Sequence, residues 1–223
     1  MSVTPTAELV AATAAFLATH FVSSMPLRAA LVGRLGEWPY RGLYSLVALV
    51  TLVWMVVAYK AAPSQPLWSG LRLAPALVMP AAFILLACGY ARNPTAVGAD
   101  RLLRSDEPAR GMIRVTRHPL MWAIMLWSLA HLLANADARG LVFFGGLFAL
   151  AALGTVSIDG RKKSLPGWER FAAVTSNLPF AAIAQGRNRM AWREIGWLRP
   201  AAGLGPYVLV LLLHPFLFGV PPY

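Results

Sequence analysis

Six long apolar runs leave this chain few ways to fold. They cover roughly residues 5–25, 43–59, 73–90, 119–135, 140–158 and 204–218. Each is long enough, or nearly so, to cross about 30 Å of hydrocarbon at about 1.5 Å per helical residue. In lipid the backbone must satisfy its own hydrogen bonds, so the runs read as helices. The two-residue alternation of a transmembrane barrel strand is absent from the sequence. With 58% hydrophobic and 13% charged residues, the expected solvent is a bilayer. The fold class is therefore an all-α, polytopic membrane bundle of six helices, and the chain reads as one membrane domain over residues 1–223, with no internal repeat.

The net charge of +11 raises the question of nucleic acid. The placement of the charges answers it, because they sort by side of the membrane. Counting six spans, the first, third and fifth connections hold 17 of the 20 basic residues, and Lys60, Arg72 and Arg139 remain on the other side. The positive-inside rule then puts the odd connections in the cytoplasm and both termini outside. No nucleic-acid partner is expected, and membrane lipids are. The single cysteine, Cys88, excludes an internal disulfide, a zinc-finger spacing and covalent c-type haem attachment. Thr4-Pro5 reads as a helix N-cap followed by Pro at the first helical position. No basic residue precedes the first run, which argues against a cleaved signal peptide.

Three histidines sit inside the runs, where a polar side chain pairs, binds a metal or lines a path. His131 has Trp127, Ser128 and Asn135 on its own helix face. His20 has Ser24 one turn on, and His214 precedes Pro215. A hydrogen-bonded structural histidine competes with an axial haem ligand at each position. Spacing cannot choose a pair, because ligands from different helices carry no sequence signature. His118 belongs elsewhere. Gly111, Arg114, Arg117 and His118 lead into Pro119 at the start of the fourth run. Arginine forks at a helix start favour an anionic group, such as a propionate, a cofactor carboxylate or a lipid phosphate. Arg101, Arg104, Arg110 and the Arg161-Lys162-Lys163 run read as topology anchors, and Asp159 as a charge-paired helix end. Residues 159–200 are too polar to cross, and Trp168, Phe171, Val174 and Leu178 suggest a helix lying at the interface. Residues 27–35 can continue the first helix beyond Pro26.

Several of these segments resemble the NnrU family of bacterial membrane proteins. They are His20-Phe-Val-Ser23-Ser24-Met-Pro26-Leu-Arg28, Tyr44-Ser45, Arg92-Asn93-Pro94-Thr95, Thr116-Arg117-His118-Pro119, Leu126-Trp127-Ser128 through His131 to Asn135, Phe144-Gly145-Gly146 and His214-Pro215. The resemblance implies a link to denitrification and nitric oxide metabolism in the bacterial inner membrane. The family is similar in turn to plant 15-cis-zeta-carotene isomerase, a membrane enzyme with haem b. Its proposed haem histidines correspond to His20 and His131, and Ser128 stands where that enzyme has a cysteine. The resemblance thus implies haem b held by His20 and His131; His214, whose depth in its run matches that of His131, is the reserve ligand. Ser24, Ser128 or Asn135 would orient the imidazoles, and Arg114, Arg117 and His118 would hold an anionic part of the ligand. One difficulty is depth: with a first span ending near Ser24, the two histidines differ by about 15 Å of helix rise.

A second echo covers residues 111–159, whose Arg-His-Pro hairpin resembles isoprenylcysteine and phospholipid methyltransferases that bind S-adenosylmethionine. The glutamate pair and Gly-x-x-Tyr segment of those enzymes are replaced here by Asp159-Gly160-Arg161 and Trp168-Glu169-Arg170-Phe171. The expected function is therefore a haem b protein, isomerase-like or linked to nitric oxide redox chemistry, acting on a hydrophobic small molecule. A methyltransferase using S-adenosylmethionine and a non-catalytic accessory protein for a respiratory complex are the alternatives. Neither the substrate nor the oligomeric state is legible.

Overall fold

The computed structural model describes residues 4–22 and 26–222. Its long helices are α1 (Pro5–Val22), α2 (Pro26–Leu35), α3 (Glu37–Ala61), α4 (Ala74–Gly89), α5 (Pro119–Asn135), α6 (Ala138–Lys162) and α10 (Leu198–Phe218). Shorter helices α7 (Trp168–Val174), α8 (Ala181–Ala184) and α9 (Trp192–Ile195) lie between α6 and α10. No strand occurs among the described residues, where Pro66 and Asp137 form an isolated bridge.

All six apolar runs are helical where they are described. The caps follow the local chemistry: the Thr4 hydroxyl accepts from the Ala7 amide at 3.3 Å, and Pro119 opens α5. Among the described residues three helices, α3, α6 and α10, are long and apolar enough to cross a membrane, while α4 and α5 are shorter apolar helices. Leu46, Leu49, Val50 and Val53 on α3 and Val208, Leu209, Leu212 and Phe216 on α10 are exposed. Contiguous apolar surface of this kind marks a membrane or another apolar partner, and it fits a multi-pass membrane protein. Residues 27–35 are helical as expected; whether α2 continues α1 turns on residues 23–25, which lie outside the described ones.

The chain forms two compact units, one of Met1–Leu71 with His131–Leu150 and one of Arg72–Ala130 with Ala151–Tyr223. In the first, α1 buries Leu9, Ala12, Thr13 and Phe16, the spacing of one helix face. It runs antiparallel to α3: the Trp54 indole donates to Glu8 at 3.1 Å near one end, and the His20 and Tyr44 rings are 6.0 Å apart near the other. Gly146 allows α6 to approach α1, since a Cβ there would stand 2.6 Å from Thr13 Cγ2. The loop after α3 is hydrogen-bonded to the α5–α6 turn, with Leu67 N to Ala136 O at 2.8 Å and Leu71 N to Leu133 O at 2.9 Å. In that turn Asp137, 3% exposed, accepts from Ser64 Oγ at 2.6 Å, Arg139 Nε at 3.0 Å and Gly140 N at 2.7 Å.

In the second unit α4 packs on α10, where a Cβ on Gly203 would stand 2.6 Å from the Phe83 carbonyl oxygen. Tyr207 Oη donates to the Ala76 carbonyl at 3.0 Å across the same pair. The apolar stripe expected to lie in the membrane interface does something else. Trp168 and Phe171 of α7 are buried against Leu103, Ala109 and Ile113, closing a small core under the polar loops. Leu178 falls beyond the helix and is 62% exposed. An amphipathic face needs an apolar partner, and here the chain supplies one.

Candidate functional site

Polar chemistry concentrates where the loops before α5 meet the segment after α6, within the second unit. Asp159, in the last turns of α6, receives two neighbours from the start of α5. Arg117 donates from Nη2 to Oδ2 at 2.5 Å and from Nε at 3.0 Å, and His118 Nε2 lies 2.7 Å from Oδ1. The Arg117 guanidinium also lies 5.8 Å from the Trp168 ring centroid. A carboxylate accepts, so the nitrogen of His118 facing it carries a proton. His118 is 1% exposed, and its Nδ1 is buried with no hydrogen-bond partner among the described residues. Trp122 Nε1 donates to the Asn177 carbonyl at 2.8 Å, and Asn177 Nδ2 to Thr155 Oγ1 at 2.8 Å, fastening α5 and α6 to the chain after α7.

A second lock is built on Glu194 of α9. Arg114, 7% exposed, presents a two-pronged fork, Nε to Oε2 and Nη2 to Oε1, both at 2.8 Å. The Gly111 amide donates to Oε2 at 2.8 Å, and Arg114 Nη1 donates to Asn188 Oδ1 at 2.8 Å. Glu107 also pairs with Arg114. The Arg114 hydrogen bonds hold the Glu194 carboxyl down at about 2 against the opposing effect of burial, with the Gly111 amide adding to the shift. The same bonds raise Arg114. Arg114, Arg117 and His118 were expected to hold an anionic part of a ligand or lipid. In this structure the anions they face are the chain's own Glu194, Glu107 and Asp159. Asp159 is the charge-paired helix end that the sequence suggested. Glu194 was missed, since nothing in its local sequence points to a partner 80 residues away.

The two histidines of the first unit stand differently. His20 Nδ1 lies 2.8 Å from the Phe16 carbonyl and 3.2 Å from Thr19 Oγ1. A carbonyl only accepts, so Nδ1 donates here; in the neutral ring this leaves the lone pair on Nε2, the tautomer of a metal-ligating histidine. His131 stacks on Phe144 with centroids 5.4 Å apart, and Phe144 lies 5.8 Å from Tyr59. His20 is beside Tyr44, and Tyr44 and Tyr59 are separated by about 22 Å of helix rise along α3. The two histidines therefore lie toward opposite ends of α3. Imidazoles sharing one metal ion need their nitrogens about 4 Å apart, at about 2 Å per bond. His20 has ligand chemistry; this arrangement does not bring His131 opposite it.

The orienting residues are also placed. Ser128 is fully buried and donates to the Ile124 carbonyl of its own helix. Asn135 Nδ2 donates to the His131 carbonyl at 2.8 Å, not to its ring, and Asn135 Oδ1 accepts from Tyr59 at 3.2 Å. Ser24 lies outside the described residues. His214, in the second unit, has Nδ1 2.8 Å from the Val220 carbonyl, past a chain bend at Gly219. No group of three or more metal-binding side chains occurs among the described residues.

The family model described as NnrU protein matches residues 8–222. The chain is also similar to the 15-cis-zeta-carotene isomerase, chloroplastic, of Zea mays, 35% identical over 82 residues, which is 36% of this chain and 22% of that protein. The similarity thus spans less than a quarter of the isomerase. No solved structure matches the chain.

Proposed function

Since the chain belongs to the NnrU family, we propose that it is an isomerase-like protein of the bacterial inner membrane that takes a hydrophobic small molecule from the lipid phase. Six spans with both termini outside complete this reading, supported by the six helical runs and by the sorting of the basic residues. Reporter fusions after Ser64 and after Ser105 should then report opposite compartments, the second cytoplasmic. The same compartment for both would remove one span from the count.

The cofactor of this reading is haem b, and the observation that carries it is the contact of His20 Nδ1 with the Phe16 carbonyl. With its proton directed at the Phe16 carbonyl, Nε2 is the nitrogen with a lone pair, and α1 and α3 hold the ring beside Tyr44. Bound there, haem would supply a redox-active, Lewis-acidic iron; His20 would hold it, and His131 would act through packing on Phe144. A pyridine haemochrome assay on purified wild type, His20→Ala, His131→Ala and His214→Ala tests this. Haem should be lost in His20→Ala and kept in the other two. Loss in His131→Ala with retention in His20→Ala would overturn the assignment. A colourless wild type that binds S-adenosylmethionine by calorimetry would move the reading to a methyltransferase, against which Asp159 already stands paired within the chain.

A further inference from the structure

The Arg92-Asn93-Pro94-Thr95 segment has no part in the reading above, yet it is built with care. Arg92 has φ 49, a left-handed backbone that a side chain with a Cβ rarely adopts. Asn93, 3% exposed, holds the turn: its Nδ2 donates to the Gly89 carbonyl at 2.9 Å, and its Oδ1 accepts from the Thr95 amide at 2.9 Å. The Thr95 hydroxyl lies 2.8 Å from the Arg117 carbonyl, tying the turn to the start of α5. Backbone strain held by a buried network points toward a site, and this turn stands beside one. Arg92 lines a cavity of about 160 Å³ with Arg110, Arg199, Glu194, Cys88 and Ile195, all within the second unit.

The charges around this cavity do not balance. The Glu194 carboxylate is taken by the Arg114 fork and the Gly111 amide. Among the described residues Arg110 has a long pair with Glu107, at 3.5 Å, and Arg199 donates to a backbone carbonyl, that of Glu194, at 3.1 Å. Three arginines thus line a concavity whose one lining carboxylate is already neutralised. Its floor is buried and small, with Cys88 3% and Ile195 6% exposed. The volume is below that of pockets that enclose a whole drug-sized ligand, about 300 Å³ and upward, so it suits one functional group. Guanidinium forks match phosphate geometry and keep their charge at any physiological pH.

We propose that this cavity is a binding site for one phosphate group, with Arg92, Arg110 and Arg199 as its donors. The phosphate belongs either to a lipid headgroup or to a soluble phosphorylated molecule. The site is independent of haem and of the histidines in the first unit. The test uses the full chain in detergent, comparing wild type, Arg92→Ala/Arg110→Ala and, as control, Lys163→Ala on an exposed position away from the cavity. One arm measures retention of phosphatidylglycerol against phosphatidylcholine by native mass spectrometry. The other measures the thermal shift produced by inorganic phosphate against chloride at equal ionic strength. The double variant should lose about five-fold or more in one arm, and Lys163→Ala should lose nothing. A loss confined to the lipid arm assigns a headgroup, and one confined to the phosphate arm assigns a soluble ligand. Equal behaviour of the double variant and Lys163→Ala in both arms overturns the proposal. If the double variant is not monodisperse, Arg199→Gln is read in the same two arms against the same criterion.

Discussion

Asp137 in the first unit and Glu194 in the second each accept from a glycine amide and from an arginine. For Asp137 these donors, Gly140 and Arg139, lie three and two residues away, and Ser64 adds a third from the loop after α3, 73 residues earlier. For Glu194 they lie 83 and 80 residues away. The first arrangement shapes a tight turn that its own sequence already favours. The second joins two segments that have no other local reason to meet. The same chemistry therefore finishes a turn in one region and decides the course of the chain in the other, and the consequences of breaking it should differ accordingly.

The largest effect is expected for Arg114→Ala. It leaves Glu194 in a mostly enclosed place without its fork, a loss of about 3–5 kcal/mol when a buried pair is broken from one side. The denaturation midpoint in detergent should fall, and trypsin should gain access to Arg187 and Arg189. An effect no larger than that of Lys163→Ala would show that the long-range lock does not hold the segment. Acid should act next. The Glu194 carboxyl is held at about 2, below its ordinary 4.5, so its contribution is full above pH 4.5 and is lost as the pH falls toward 2. Wild type should lose stability across that window, and Arg114→Ala should show a flatter profile there. Identical profiles would remove Glu194 from the account. The smallest effect is expected for Ser64→Ala, about 1 kcal/mol, because Asp137 keeps Arg139 and Gly140. If Ser64→Ala proved as damaging as Arg114→Ala in the same melts, the contrast between local and distant locks would collapse.

The difference between the two regions also explains what the sequence disclosed. Pro119 at the start of α5 and Thr4-Pro5 at the start of α1 were legible because a cap is a local preference. The six apolar runs were legible as helices because an apolar run of that length has to satisfy its own backbone hydrogen bonds wherever water is excluded. Phe171 was read as an interface residue because its stripe is visible, whereas Leu103 and Ile113, which cover it, come from a loop about 60 residues earlier. The pairing of Arg117 and His118 with Asp159 was half legible, since a helix end rich in arginine invites an acid without naming it. The level of His20 relative to His131 depends on how α1, α3 and α6 pack, and periodicity within each run carries no such information.

Gly203 adds a dimension of time. Its contact with Phe83 brings the backbones of α4 and α10 together, and about a hundred residues of chain separate those helices. At about 5–20 residues per second, synthesis takes about 5–20 s to cover that distance. Throughout that interval α4 is without the neighbour its surface is shaped for, and Gly111 and Arg114 have been made before Glu194 exists. The α5–α6 turn, whose donors and acceptor emerge almost together, closes at once. The second unit is thus the last to be finished on the ribosome, and a chaperone or insertase acting on this protein has its longest opportunity there.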